Sequence, residues 1–145
     1  MQVTADGEAK LSRTNVLVVD DHPSVCEMLH VLLAGEPALC IVGEVREGKD
    51  AIHFTERTCP DLIIMDLGLP DIGGIEATRR IKSHTPQCII VILTVHEEHY
   101  YVLESIKAGA AGYVLKRTMG SDLLTAIHAT TSGERFISPM AGVAH

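Results

Sequence analysis

The sequence predicts an open α/β domain: a five-stranded parallel sheet, doubly wound, with helices on both faces. Apolar runs of strand length alternate five times with longer segments of helical period, the mark of repeated β-α units. The runs, among them NVLVV, LIIM and CIIVIL, are continuously apolar and rich in Val and Ile, as befits strands buried on both faces. Right-handed crossovers between such strands then lead to an open, doubly wound sheet.

The elements follow in order. Residues 1–14 are polar and aperiodic and read as a disordered leader. A strand is expected at 15–20, then a helix at 23–34. Pro23 stands near its first helical position, where a missing N–H costs nothing, and Val25, Met28, Leu29, Leu32 and Leu33 recur every three or four residues as its buried stripe. Strands at 39–45, 62–66, 88–94 and 112–116 alternate with helices at 49–57, 74–83 and 97–108. A last helix at 120–132 carries Leu123, Leu124, Ile127 and Thr131 on one face, is opened by Ser121 or Asp122 and is closed by Gly133. Residues 134–145 read as a linker or tail after a domain at 15–133.

Composition narrows the function. One domain suits 145 residues, of which 46% are hydrophobic. With 19 acidic against 12 basic residues, a net charge of −7 and no Lys/Arg cluster, the segment lacks the footprint of a nucleic-acid binder. No run is long enough to span a bilayer and no signal peptide opens the chain, so a cytoplasmic location without membrane contact is expected. Cys26, Cys40, Cys59 and Cys88 are too scattered for a zinc site and are expected as reduced thiols, mostly in the core. His96 and His99 flank two glutamates, which suits a solvated helix start; no metal is assigned there.

The chemically committed residues sit at strand ends. Asp20 and Asp21 follow NVLVV, Asp66 follows LIIM, Thr94 follows CIIVIL and Lys116 follows GYVL. In a parallel sheet these carboxyl ends share one rim, where ligands of doubly wound folds bind. Three crowded carboxylates repel one another unless a cation intervenes, and Mg²⁺ is the natural one. Asp21 and Asp66 suit direct ligation, with Asp20 acting through water. A carboxylate oxygen of Asp66 is then a nucleophile for phosphorus, and Lys116 and Thr94 supply the ammonium and hydroxyl that stabilise the phosphoryl oxygens. A single Asp after a strand is commonly a cap or solvated end. The joint occurrence of acid, hydroxyl and lysine after four strands is what no common fold requirement explains.

The stretches VLVVDDHP at 16–23, IIMDLGLPDIGGIEATRRI at 63–81, VILT at 91–94 and GAAGYVLK at 109–116 resemble the receiver domains of two-component response regulators. DDHP, GAAGYVLK and GERFISP narrow the resemblance to the NarL/FixJ (LuxR-type) class. The resemblance implies the flavodoxin-like receiver fold and a phosphorylation-activated signalling switch, a phosphoacceptor domain and not a turnover enzyme. It implies that a sensor histidine kinase phosphorylates Asp66 with Mg²⁺, and that the domain dephosphorylates itself. Asp20, Asp21, Asp66 and the backbone carbonyl of Gly68 would hold the ion, with Thr94 and Tyr113 as switch residues. It implies transcription regulation through a helix-turn-helix domain absent from these 145 residues, the only route to DNA. A homodimer through the 97–132 face is a further expectation. Pro70 and Gly74 match the family's loop proline and turn glycine. Gly68 and Leu69 depart from its larger polar residue and Met, and His96 lies two residues after the switch threonine; such flanking positions tune how fast water reaches the aspartyl phosphate.

Three rival readings are weaker. A phosphatase of the haloacid dehalogenase type expects an Asp two residues after the nucleophile, where Gly68 stands. A flavodoxin-like nucleotide-binding or dinucleotide module needs a glycine loop after the first strand, where the sequence is VVDDHPSV. A receiver-shaped interaction domain independent of phosphate would not require the complete acidic set.

Overall fold

The computed structural model describes residues 13–142. Six strands form one parallel sheet: β1 (Thr14–Val19), β2 (Leu39–Val45), β3 (Leu62–Met65), β4 (Ile89–Thr94), β5 (Gly112–Leu115) and β6 (Phe136–Ile137). Their order across the sheet is β2-β1-β3-β4-β5-β6. The helices are α1 (Pro23–Ala34), α2 (Gly48–Thr58), α3 (Gly74–His84), α4 (His99–Ala108) and α5 (Met119–Thr131), and a 3-10 turn spans Lys116–Thr118. The predicted flavodoxin-like class is found, and element ends move by one or two residues. The leader expected at 1–14 lies outside the described residues except for Arg13 and Thr14, and Thr14 opens β1.

Side-chain alternation along the strands builds two cores. Leu17, Val19, Ile63, Met65, Ile90, Ile92, Tyr113 and Leu115 point to the face covered by α2, α3 and α4 through Ala51, Ala77, Ile81 and Val102. Val16, Val18, Leu62, Ile64, Val91, Leu93 and Val114 point to the other, covered by Leu29 and Leu33 of α1 and Leu123, Ala126 and Ile127 of α5. Burial on both faces is why these runs are apolar throughout.

Several expectations are corrected. The sheet has six strands, because part of the stretch read as a linker pairs with β5 in the register Gly112↔Phe136 and Tyr113↔Ile137. Two residues are too few to show a pattern; hydrogen bonds fix them instead. The Ser138 N–H donates to the Tyr113 carbonyl at 2.8 Å, and the buried Ser138 hydroxyl accepts the Leu115 N–H at 3.2 Å while donating to Asp122 at 2.8 Å. Helix α5 starts at Met119, so neither Ser121 nor Asp122 is its N-cap; both lie inside its first turns. Its buried face takes Thr130 in place of Thr131, because the helical phase is set by Leu123 and Ile127. On α1, Met28 is half exposed, since only Leu29 and Leu33 meet the sheet squarely. Among the cysteines Cys88 alone is buried, and burial pushes its thiol up to about 11; Cys26 and Cys40 are half-buried, and Cys59 is exposed at the left-handed end of α2.

Among the described residues no helix is long and apolar enough to cross a membrane.

Candidate functional site

The chain from β1 crosses to β2 on one side and then to β3 on the other, so β1 and β3 are hydrogen-bonded neighbours. Their connections leave in opposite directions at the carboxyl end. This divergence opens a crevice where side chains just beyond both strands meet. Asp20 follows β1 and Asp66 follows β3; the Asp20 N–H donates to Val45 O at 3.1 Å and the Asp66 N–H to Val19 O at 2.9 Å. Backbone pairing therefore holds the two carboxylates in place before their side chains contribute anything. Both are buried, at 3% and 4% exposure, whereas Asp21 is a third exposed.

Lys116, first residue after β5, reaches across the rim. Its Nζ lies 2.9 Å from Asp20 Oδ2 and 3.5 Å from Asp66 Oδ1. One ammonium among three carboxylates leaves the cluster short of positive charge. No hydrogen bond reaches Asp20 Oδ2, Asp21 Oδ1 or Asp66 Oδ2, although all three atoms are buried; the Lys116 contact to Asp20 Oδ2 is an ion pair without hydrogen-bond alignment. Burial is the main cause that pushes the Asp66 carboxyl above its ordinary range, and the charge of Asp20 adds to it. Lys116, the Gly68 backbone N–H and His22 pull the other way. Buried carboxylate oxygens without hydrogen bonds are the donor set of a hard divalent cation, so the residues present fit Mg²⁺.

Gly74 keeps the β3–α3 loop close to the site. A Cβ on it would lie 2.1 Å from the Asp66 carbonyl oxygen, so no larger residue fits while Gly74 N–H donates to Leu67 O at 3.0 Å. Asp71 in the same loop ties it to α2, its two oxygens accepting the N–H groups of Gly48 and Lys49 at 2.8 and 2.9 Å. Gly68 is exposed, with open space where a Cβ would stand.

The other two predicted residues sit one step away. Thr94 is fully buried at the end of β4, and its Oγ1 accepts the His96 N–H at 3.2 Å. Tyr113 is buried in β5 and its hydroxyl donates to the His96 carbonyl at 2.9 Å. Burial pushes the Tyr113 hydroxyl far up, so it stays a protonated donor. Both side chains thus grip the same loop residue, whose ring stacks on Tyr101 at 4.3 Å. The structure brings Asp20, Asp21, Asp66 and Lys116 into one cluster and links Thr94 and Tyr113 through His96.

Sequence reasoning missed His22. Its Nδ1 lies 2.8 Å from Asp20 Oδ1, 3.3 Å from Asp21 Oδ1 and 3.8 Å from Asp66 Oδ2. The available signal was its place directly after the acidic pair, at the cap of α1, where the chain must turn back over the crevice.

Comparison with known proteins shows what the chain is similar to. Residues 16–128 match the family described as the response regulator receiver domain. The response regulator UvrY of Escherichia coli (strain K12) is 38% identical over 124 residues, covering 86% of this chain and 57% of its own length. The response regulator GacA of Pseudomonas aeruginosa is 38% identical over 124 residues, covering 86% of this chain and 58% of its own. The chain therefore spans little more than half the length of these curated relatives. Among solved structures, a two-component response regulator of the LuxR family from Aurantimonas sp. SI85-9A1 superposes with a TM-score of 0.84 at 38% identity, covering 88% of this chain and 91% of that one.

Proposed function

The chain belongs to the response regulator receiver domain family, and from that premise we propose that it is a phosphorylation-operated switch whose phosphoacceptor is Asp66. Receiver domains of this family are signalling domains, and response regulators work with histidine kinases. The observation that carries the reading is the meeting of Asp20, Asp21, Asp66 and Lys116 at the ends of β1, β3 and β5, with three buried carboxylate oxygens lacking hydrogen bonds.

The donor is a phosphohistidine of a sensor kinase. An Asp66 oxygen attacks phosphorus, the N–P bond breaks, the electron pair stays on the kinase imidazole, and an aspartyl phosphate forms. Bound at Asp20, Asp21, Asp66 and the Gly68 carbonyl, Mg²⁺ would neutralise charge on the carboxylates and the phosphoryl oxygens. Lys116 is positioned to move its ammonium from the carboxylates to a phosphoryl oxygen. Thr94 would turn its hydroxyl from the His96 N–H to another, which frees the loop that Tyr113 also holds. Hydrolysis of the acyl phosphate by water restores Asp66 and releases phosphate. Open space at Gly68 leaves a path for that water.

In this reading the receiver unit is residues 15–133 together with β6, which extends the edge of its sheet. The reading extends to a cytoplasmic transcription regulator whose DNA-binding domain lies outside the 145 residues, in keeping with relatives that are nearly twice as long as the matched stretch.

The test is intact-mass spectrometry after incubation with acetyl phosphate, with and without Mg²⁺, beside Asp66→Asn. A Mg²⁺-dependent gain of one phosphoryl group by the parent alone is expected. An equal gain by the folded Asp66→Asn variant would sink the assignment.

A further inference from the structure

Resting on the metal-site reading above, we propose that His22 is a nitrogen ligand of this site and gives it a preference for a first-row transition metal ion over Mg²⁺. The ligand atoms of Asp20, Asp21, His22 and Asp66 all lie within 4.8 Å of one another. Around an octahedral ion with bonds of about 2.1 Å, neighbouring ligands stand about 3.0 Å apart and opposite ones about 4.2 Å. The separations of His22 Nδ1 from Asp21 and Asp66, 3.3 and 3.8 Å, fall within that range, and the 2.8 Å contact with Asp20 Oδ1, a hydrogen bond in the ion-free site, lies just under it. Small shifts of the four side chains make one ion their common neighbour.

Two further observations point to a cation in this cluster. The Asp20 and Asp66 side chains are 3% and 5% exposed, and their Oδ2 atoms receive no hydrogen bond. Lys116 Nζ, 3.4 Å from His22 Nδ1, already brings a positive group to the same atom. The His22 side chain is 57% exposed, so its other nitrogen can carry the proton in water while Nδ1 binds. Mg²⁺ takes oxygen ligands almost exclusively, whereas an imidazole adds affinity for transition ions. Mn²⁺ is the strictest probe, because it stands lowest in the transition series and gains least from indiscriminate nitrogen binding.

The experiment measures Mg²⁺ and Mn²⁺ affinities of the 145-residue protein and of His22→Ala by titration calorimetry. Electron spin echo spectroscopy of the Mn²⁺ form, with natural and ¹⁵N-labelled histidine, reads any nitrogen on the ion. Expected are a Mn²⁺ affinity at least about tenfold above that for Mg²⁺, a nitrogen signal that changes with the label, and its disappearance in His22→Ala. That variant should lose at least about tenfold in Mn²⁺ affinity, since loss of even an outer-shell partner of a ligand commonly costs that much, and less than about twofold for Mg²⁺. Bound Mn²⁺ without a histidine nitrogen signal, or equal losses for the two ions, overturns the role of His22 and leaves the phosphoacceptor reading standing. Binding of neither ion overturns both.

Discussion

Asp66 is buried without enough partners, and this has a measurable cost at the level of a single residue. Its carboxyl titrates above the ordinary range, chiefly through burial and then through Asp20. A raised folded value means that the group favours the folded state fully below its unfolded value and loses that contribution as pH rises through the folded value. The metal-free protein should therefore lose melting temperature as pH rises from about 4 through the raised folded value. Asp66→Asn should flatten that loss and raise neutral stability by about 1 kcal/mol, the scale of a relieved, incompletely satisfied buried group. Saturating Mg²⁺ should remove most of the difference, and thermal melts across pH with and without the ion check it. Gly74 makes the opposite prediction. Gly74→Ala must move backbone, because its Cβ would strike the Asp66 carbonyl, so a loss of about 2–4 kcal/mol in urea unfolding is expected.

Connections between elements rest on a few side chains in loops. Helix α2 has no cap from its own Glu47; Asp71, 23 residues on from Gly48, accepts its first N–H groups. Partial desolvation works to raise the Asp71 carboxyl, but donation from Lys49, Gly48, Ile72 and its own backbone outweighs it, and the net shift is downward. The cap is thus present above the unfolded value and is lost as pH falls through the lower folded one. Asp71→Ala should cost about 1 kcal/mol, and hydrogen exchange should quicken in the first turn of α2 while α5 stays protected. Faster exchange across the whole chain would instead mean that the cap supports the global fold. The short β6 depends in the same way on Ser138, whose hydroxyl joins Leu115 of β5 to Asp122 of α5.

For the whole molecule, the two cores make one rigid sheet, and the response to phosphate must appear on its surface. Tyr100 and Leu103 of α4 are 64% and 40% exposed, on the 97–132 face where the sequence leads one to expect a homodimer. Sedimentation of the protein with Mg²⁺ and beryllofluoride, a phosphoryl mimic, should show dimers that Tyr100→Glu weakens at least about tenfold through an unpaired charge in the contact. Exposed Met28 and Val31 lie on α1 instead. Dimers weakened by Val31→Glu and not by Tyr100→Glu would move the contact to that face.

Much of this was written in local pattern. Doubly apolar runs announce a buried parallel sheet, and residues directly after such runs are carried to one rim by strand direction alone, which is why Asp20, Asp21, Asp66 and Lys116 could be named without coordinates. Other features depend on contacts distant in sequence and on angles that no period encodes. Two-residue β6 exists because Ser138 finds Leu115 and Asp122; the start of α5 follows the 3-10 turn after β5; Asp71 caps a helix that precedes it by a strand; and Met28 turns outward because Leu29 and Leu33 are the residues that α1 buries against the sheet. The placement of His22 belongs here as well. A residue after the acidic pair could face solvent or crevice, and only the folded turn into α1 put its ring among three carboxylates.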